Sequence, residues 1–164
     1  MTLARPASKQ PILEDAEKVF SGHIFDVYQW QQEQYDGSFK TFEKIKRPDT
    51  VSILPITVDK KILLTKQNQP SVSKPFYSPV GGIVDLGEDP VQAAVRELQE
   101  ETGYSSKAIE VWYAFQTSYK VDWALYMFIA KDCQKVSEQH LDAGEQIEVL
   151  TVSFDEFFEI VVAD

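Results

Sequence analysis

Cysteine is nearly absent: Cys133 stands alone among 164 residues. That excludes an internal disulfide and leaves no Cys pair or Cys/His cluster for zinc. Such usage suits a reducing compartment, and a cytoplasmic protein is expected. Cations are also scarce, with 16 Lys and Arg against 26 Asp and Glu for a net charge of −10. A chain of that sign repels a phosphate polymer unless its basic residues cluster or metal ions intervene, so a nucleic-acid polymer is not an expected partner. Long apolar runs are missing too. The opening MTLARPASKQPILEDAEK lacks the apolar stretch a secretory signal needs, and no run reaches the length of a membrane span, so no membrane partner is expected. What is present is 43% hydrophobic and 12% aromatic residues, the make-up of a globular chain at a length that fits one domain able to bury its own core.

Residues 1–16 are polar and proline-containing and read as a flexible arm. From Phe20 the chain turns aromatic and β-rich: FSGHIFDVYQWQQEQY, the pair Asp36-Gly37, then SFKTFEKIKR. Asp-Gly between two alternating runs is a hairpin signal, so 17–47 is an N-terminal β segment with antiparallel strands. TVSILPITV and ILLTKQ, joined around Asp59-Lys60-Lys61, read as two interior strands with a tight turn. Pro70, Pro75 and Pro79 then break the chain into a loop leading to Gly81-Gly82. One helix follows. After it come strands near Ile109–Tyr119 and Trp123–Ala130, the polar loop KDCQKVSEQHLDAGE, a strand QIEVLTV and a short helix from Ser153. No internal repeat is present, and the class is α+β or a mixed three-layer α/β/α sandwich.

The central helix has clear ends. Asp89 is placed to cap it, Pro90 suits the first turn, and Gln92 is the capping-box partner. Gly103 can take the left-handed cap conformation, so the helix should run from about Pro90 to Thr102. Turning about 100° per residue, Val91, Ala94, Val95 and Leu98 form an apolar stripe, while Glu97, Glu100 and Glu101 crowd an adjoining face with Arg96 one turn before Glu100. Like charges at this spacing cost only a few tenths of a kcal/mol per pair, and an acidic run on a helix is most often a solvated face. The preceding loop changes that balance. Gly81, Gly82 and Gly87 let backbone approach a ligand, and Glu88 brings a fourth carboxylate to the helix. Hard oxygen donors without His or Cys suit magnesium or manganese, which share their remaining positions with water and substrate phosphates.

Gly82, Glu88 and the run Arg96-Glu97-Leu98-Gln99-Glu100-Glu101-Thr102-Gly103-Tyr104 resemble the signature box of the Nudix hydrolases over 82–104, with Tyr104 where a bulky aliphatic residue is usual. The resemblance implies a Nudix fold spanning 1–164 as a single domain, with a mixed sheet between helices. It implies an enzyme that cleaves a nucleoside diphosphate linked to another group. Glu97 and Glu101 would be the principal metal ligands, Glu100 a further one, and the carbonyl of Gly81 a backbone ligand. Arg96 and Glu88 would orient the glutamates. Magnesium, with manganese as the alternative, is the implied cofactor.

A broader likeness over Phe20 to Phe158 is to the ADP-ribose pyrophosphatase and nucleoside diphosphate sugar branch. It implies a nucleoside diphosphate derivative as substrate and a homodimer in which N-terminal strands help build the partner's site. Tyr28 and Trp30 would be candidates to stack on a base and Arg47 to meet phosphate or ribose. The branch often has Gln-Tyr-Arg before a proline; this chain has Gln67-Asn68-Gln69-Pro70, so Gln69 offers a neutral amide where a bidentate phosphate clamp would sit. Val80-Gly81-Gly82 similarly replaces Pro-Ala-Gly. The general base would come from Glu138, Asp142 or Glu145, with Glu145 fitting the late Gly-Glu-x-Ile pattern best; His140 is a lesser candidate. A triphosphate or dinucleotide hydrolase on the same box, and a nucleotide sensor without turnover, are the alternatives.

Overall fold

The structure is a computed structural model and describes residues 3–70 and 72–163. In chain order its elements are β1 (Glu17–Ser21), β2 (Asp26–Glu33), β3 (Phe39–Lys46), β4 (Thr50–Thr57), β5 (Ile62–Asn68), β6 (Phe76–Ser78), α1 (Pro90–Thr102), β7 (Tyr104–Ser105), β8 (Ala108–Gln116), β9 (Val121–Asp122), β10 (Ala124–Lys135), β11 (Gln146–Val152) and α2 (Phe154–Ala163). The class is α+β, as the sequence predicts. The chain divides into two compact units, a smaller one of 4–49 with 114–125 and a larger one of Leu3, 50–113 and 126–163.

The smaller unit is a four-stranded sheet in the order β1-β2-β3-β9. β2 and β3 pair from Asp26↔Lys46 to Glu33↔Phe39, and Gly37, at φ 78°, turns the chain between them. The Asp36 carboxylate steadies that turn by accepting from the Ser38 amide at 3.0 Å. The aromatic stretch expected as one strand is two, because the chain folds back at Gly22, whose N–H donates to the Phe25 carbonyl at 2.8 Å. The segment read as an arm is fastened to this sheet. Lys44, fully buried, donates to Ser8 Oγ at 2.9 Å and to the Gln10 carbonyl. Arg5 forks Asp49 at 2.6 and 2.9 Å and reaches Asp122 at 3.0 Å.

In the larger unit the sheet order is β11-β5-β4-β10-β7, with β6 on β5 and β8 on β10. β4 alternates in burial, and Ile62 to Thr65 of β5 are buried without a break. This is the difference between a strand covered on one face and one covered on both. Ile53, Leu63, Val80, Leu98 and Phe128 form the core. β10 runs to Lys135, beyond the Ala130 end expected, because Cys133 is buried and keeps the polar-looking segment on the sheet.

α1 has the predicted bounds. Asp89 Oδ1 accepts from the Val91 amide at 2.9 Å, and Gly103, at φ 72°, closes the far end by donating to the Gln99 carbonyl at 2.8 Å. The buried face differs from expectation. Ala93, Ala94, Leu98, Glu101 and Thr102 are inside, whereas Val95 is 43% exposed. Hydrophobicity alone favours Val95 over Ala93; the helix is rolled so that its inner stripe ends on a carboxylate. Among the described residues, no helix is long and apolar enough to cross a membrane.

Candidate active site

The loop before α1 is pinned to β4: Val51 N–H donates to the Gly82 carbonyl at 2.9 Å and Ile53 N–H to the Val80 carbonyl at 2.8 Å. Between these bonds Gly81 lies so close that a Cβ there would sit 2.2 Å from the Val51 carbonyl oxygen, at a φ of 151° that side chains rarely adopt. The turn leaves the Gly81 N–H free to donate to Glu101 Oε2 at 2.9 Å. At Gly82 a Cβ would meet the Glu97 carboxylate at 2.4 Å. Two adjacent glycines therefore let the loop backbone lie directly on two glutamates of α1.

Arg96 organises the other carboxylates. Its Nε and Nη2 grip the two oxygens of Glu88 at 3.0 Å each, Nη1 donates to Glu97 at 2.8 Å and Glu100 at 3.0 Å, and Nη2 also reaches the Ile83 carbonyl at 2.9 Å. Fork-shaped donors suit this sharing, which a lysine could not reproduce. The exchange holds the Glu88 carboxyl below the ordinary carboxylate range. Glu97 goes the other way, because burial outweighs Arg96.

Glu101 is different. It is 4% exposed, and among the described residues it makes no ion pair and its carboxylate accepts only from Gly81 and, at 3.5 Å, from Gln67 Nε2. Burial, opposed by the Gly81 hydrogen bond and aided by the charges of Glu97, Glu145 and Glu100, pushes its pKa up to about 8. An ionised carboxylate that has lost its water and lacks a cation is costly unless something positive is supplied.

Glu145 reaches this neighbourhood from the loop after β10. That loop is tied to the C-terminal end of α1: His140 N–H donates to the Glu100 carbonyl at 2.9 Å, and Gln139 Nε2 donates to the carbonyls of Glu101 and Ile147. Of the three loop acids, Glu145 is the one whose charge acts on both Glu97 and Glu101. Glu138 is almost wholly exposed, 3.9 Å from Lys135. Asp142 is exposed, and its N–H donates to the Glu145 carboxylate at 3.2 Å.

Arg96 thus meets Glu88, Glu97 and Glu100, while the Glu101 carboxylate stands beside them without a cation. In chemistry and charge, this donor set fits a hard divalent cation. As the side chains stand, no three carboxylate, histidine or cysteine groups among the described residues converge enough to hold an ion between them. Arg96 draws Glu97 and Glu100 to itself, and Gly81 holds Glu101.

The expected substrate contacts are placed less uniformly. Trp30 is buried on Phe42, ring centroids 4.9 Å apart, with its Nε1 donating to Gln32 at 3.2 Å, so its faces are covered and cannot take a base. Tyr28 lines an open cleft of about 470 Å³ in the smaller unit with Arg5, Lys46 and Asp122. Arg47 lies 4.4 Å from the centroid of the Trp123 ring, and its buried Nε has no hydrogen-bond partner among the described residues. Gln69 is exposed just past β5. Sequence reasoning misses Gln67, Gln139 and Trp123. Gln67 is visible only as the first residue of a partly matching motif, and the other two have no local signal.

Residues 46–163 match the family profile described as NUDIX domain. An ADP-ribose pyrophosphatase of Bacillus subtilis is 32% identical over 147 residues, 88% of this chain and 80% of the relative. A methanol dehydrogenase activator of Bacillus methanolicus is 29% identical over the same shares of each chain. A solved structure titled as an ADP compounds hydrolase superposes with a TM-score of 0.76 at 21% identity, covering 96% of this chain and 85% of that one, and shows the shared fold. Nudix hydrolases generally use divalent metal ions, in keeping with a carboxylate cluster that one arginine leaves unneutralised. The chain belongs to the Nudix family and is a Nudix pyrophosphohydrolase of the branch that includes the ADP-ribose pyrophosphatases.

Proposed function

We propose that the protein hydrolyses the pyrophosphate bond of ADP-ribose or a related nucleoside diphosphate sugar, giving a nucleoside monophosphate and a sugar phosphate, with magnesium or manganese as the ion. The observation that carries this reading is Glu101, a buried carboxylate without a cation, beside Glu97 in a cluster arranged by Arg96. The similarity to an ADP-ribose pyrophosphatase over most of both chains supports the choice of substrate.

Glu97, Glu101 and Glu100, with the Gly81 carbonyl, would hold the ion. Bound there, a divalent cation supplies charge neutralisation at the pyrophosphate and a lowered pKa for the attacking water. Everything else falls to the chain's own groups. Arg96 takes up the repulsion between Glu88, Glu97 and Glu100, so that three carboxylates can share a small volume. The Gly81 N–H fixes Glu101 from one side and Gln67 from the other; Gln67 is itself held by Ser78 Oγ at 2.8 Å. Glu145, on its fastened loop, takes the proton of the attacking water as general base. Tyr28 stacks on the base, Arg47 meets phosphate or ribose, and Gln69 offers its amide to the substrate.

The same reading takes residues 1–164 as one Nudix domain that acts as a cytoplasmic homodimer. A panel of ADP-ribose, other nucleoside diphosphate sugars, dinucleotides and nucleoside triphosphates, incubated with magnesium and resolved by phosphorus NMR, tests it. Monophosphate and sugar phosphate from ADP-ribose is the expected outcome. Preferential turnover of triphosphates would replace the substrate, and tight nucleotide binding with no turnover of any compound would leave a sensor.

A further inference from the structure

Gln67 approaches Glu101 at the end of a short series of hydrogen bonds that starts two residues earlier on β5. Thr65 and Gln67 stand at alternate positions of that strand, so their side chains leave the same face of the sheet. Ser78 of β6 lies opposite Thr65 in the antiparallel pairing. Thr65 is fully buried. Its Oγ1 donates to the Ser78 carbonyl at 2.9 Å, the two hydroxyl oxygens are 2.8 Å apart, and Gln67 Nε2 donates to Ser78 Oγ at 2.8 Å. A hydroxyl has a single hydrogen to give. Thr65 uses its own on the carbonyl, so Ser78 donates across the hydroxyl pair and its Oγ is left able only to accept. The end of the Gln67 amide that faces Ser78 must then be the NH2 group, and the network fixes which way the amide points. Its second N–H has Thr65 Oγ1 at 3.4 Å and Glu101 Oε1 at 3.5 Å. At that length the contact with Glu101 is weak. Its sign is what matters: turned over, the amide would set a carbonyl oxygen against a carboxylate that is 4% exposed and whose Oε2 is already on the Gly81 N–H.

We propose that Thr65 is a positioning residue for the metal site: through Ser78 its hydroxyl fixes the Gln67 amide with an N–H toward Glu101, and so holds that carboxylate ready for the divalent ion. The inference rests on the metal reading above and adds to it the residue that sets the direction of the amide. Gly81 secures one oxygen of Glu101, and the carboxylate could still turn about that bond. A donor beside Oε1 opposes the turn. Removing such outer partners of a metal ligand typically weakens metal binding about 10- to 100-fold, because the ligand loses its orientation. Valine in place of Thr65 keeps the shape and lacks the hydroxyl. Ser78 Oγ could then donate to Gln67, the amide could turn over, and its oxygen would oppose Glu101. Serine in place of Thr65 keeps the hydrogen and the direction but leaves a methyl-sized gap in a fully buried place. The two substitutions therefore separate orientation from packing. Packing alone would make serine the more harmful, whereas orientation of the amide makes valine so.

The test is manganese binding to the full chain, followed by electron paramagnetic resonance of the free ion, in wild type, Thr65→Val, Thr65→Ser and Ser78→Ala, with circular dichroism and thermal melts to check the fold. The expected result is a dissociation constant raised about tenfold or more in Thr65→Val and Ser78→Ala and near wild type in Thr65→Ser. Nitrogen-15 NMR of the protein without metal reads the amide itself. The Gln67 NH2 pair, identified by its loss in Gln67→Met, should shift in Thr65→Val and stay in place in Thr65→Ser. A folded Thr65→Val that binds manganese as wild type does, or whose Gln67 resonances do not move, would overturn the role of Thr65 and leave the metal reading intact. Losses that track the melting temperatures, with Thr65→Ser the weaker binder, would also overturn it. Ser78→Ala decides by the same criteria should Thr65→Val fail to fold. A wild type that takes up no manganese would overturn the metal reading and this role together.

Discussion

Replacing Glu101 with glutamine should stabilise the metal-free protein at high pH and abolish its catalysis. Glu101 is an acid whose folded-state pKa, about 8, lies above its ordinary value of 4.5. Its contribution to stability is therefore full below pH 4.5 and is lost as pH rises through 8. Integrated to pH 8, the loss is roughly 4 kcal/mol. Glutamine has nearly the same shape, can keep an oxygen for the Gly81 N–H, and cannot ionise. Allowing about 1 kcal/mol for the weaker hydrogen bond, the variant should be roughly 3 kcal/mol more stable than wild type at pH 8, or about 6 to 12 °C in Tm for a chain of this size. At pH 5 the advantage should be small. Thermal melts at both pH values in EDTA, repeated with excess magnesium or manganese, measure this directly. Metal should raise the wild-type Tm more at pH 8 than at pH 5 and leave the variant almost unmoved, while kcat of the variant falls by orders of magnitude. A variant no more stable than wild type at pH 8, or one that metal stabilises equally, would refute the reasoning.

Three further perturbations separate the parts of the site. Arg96→Ala strands the Glu88 and Glu97 carboxylates in partly buried positions and should cost about 2 to 3 kcal/mol in denaturant unfolding together with most activity; Arg96→Lys, which keeps the charge but not the fork, should recover only part of each. Gly82→Ala places a methyl group 2.4 Å from Glu97 Oε1, so manganese affinity should fall and kcat drop about tenfold or more while the melt changes little; an unchanged rate would mean Glu97 can move aside freely. Glu145→Gln should lower kcat by about a hundredfold or more and leave metal affinity near wild type, as expected of a proton acceptor, whereas lost metal affinity with it would make Glu145 a ligand.

Much of the carboxylate arrangement is legible because it is local. Asp89, Pro90, Gln92 and Gly103 fix both ends of α1 through contacts within a few residues of each end, and the spacing of Glu97, Glu100 and Glu101 then places them on one side of one helix. The Asp36-Gly37 hairpin is legible for the same reason. What escapes is decided across the chain. Ala93 rather than Val95 lies inside because the helix is rolled to bring Glu101 to Gly81, a partner twenty residues away in sequence. Trp30 looks like a stacking residue until its cross-strand neighbour Phe42 is known. β10 outruns its apolar stretch because Cys133 is buried, and the placement of Glu145 depends on Gln139 and His140 meeting the end of α1. No short-range pattern encodes those meetings.

The central claim is that the carboxylates of α1, met by the Gly81-Gly82 loop, exist to hold a divalent cation against a diphosphate. Anomalous scattering from crystals soaked with manganese and a non-hydrolysable ADP-ribose analogue tests it most directly. A manganese peak bounded by Glu97 and Glu101, with the analogue's pyrophosphate against it, is the predicted result. A fully bound analogue with no peak there, or with manganese only at other carboxylates, would contradict it.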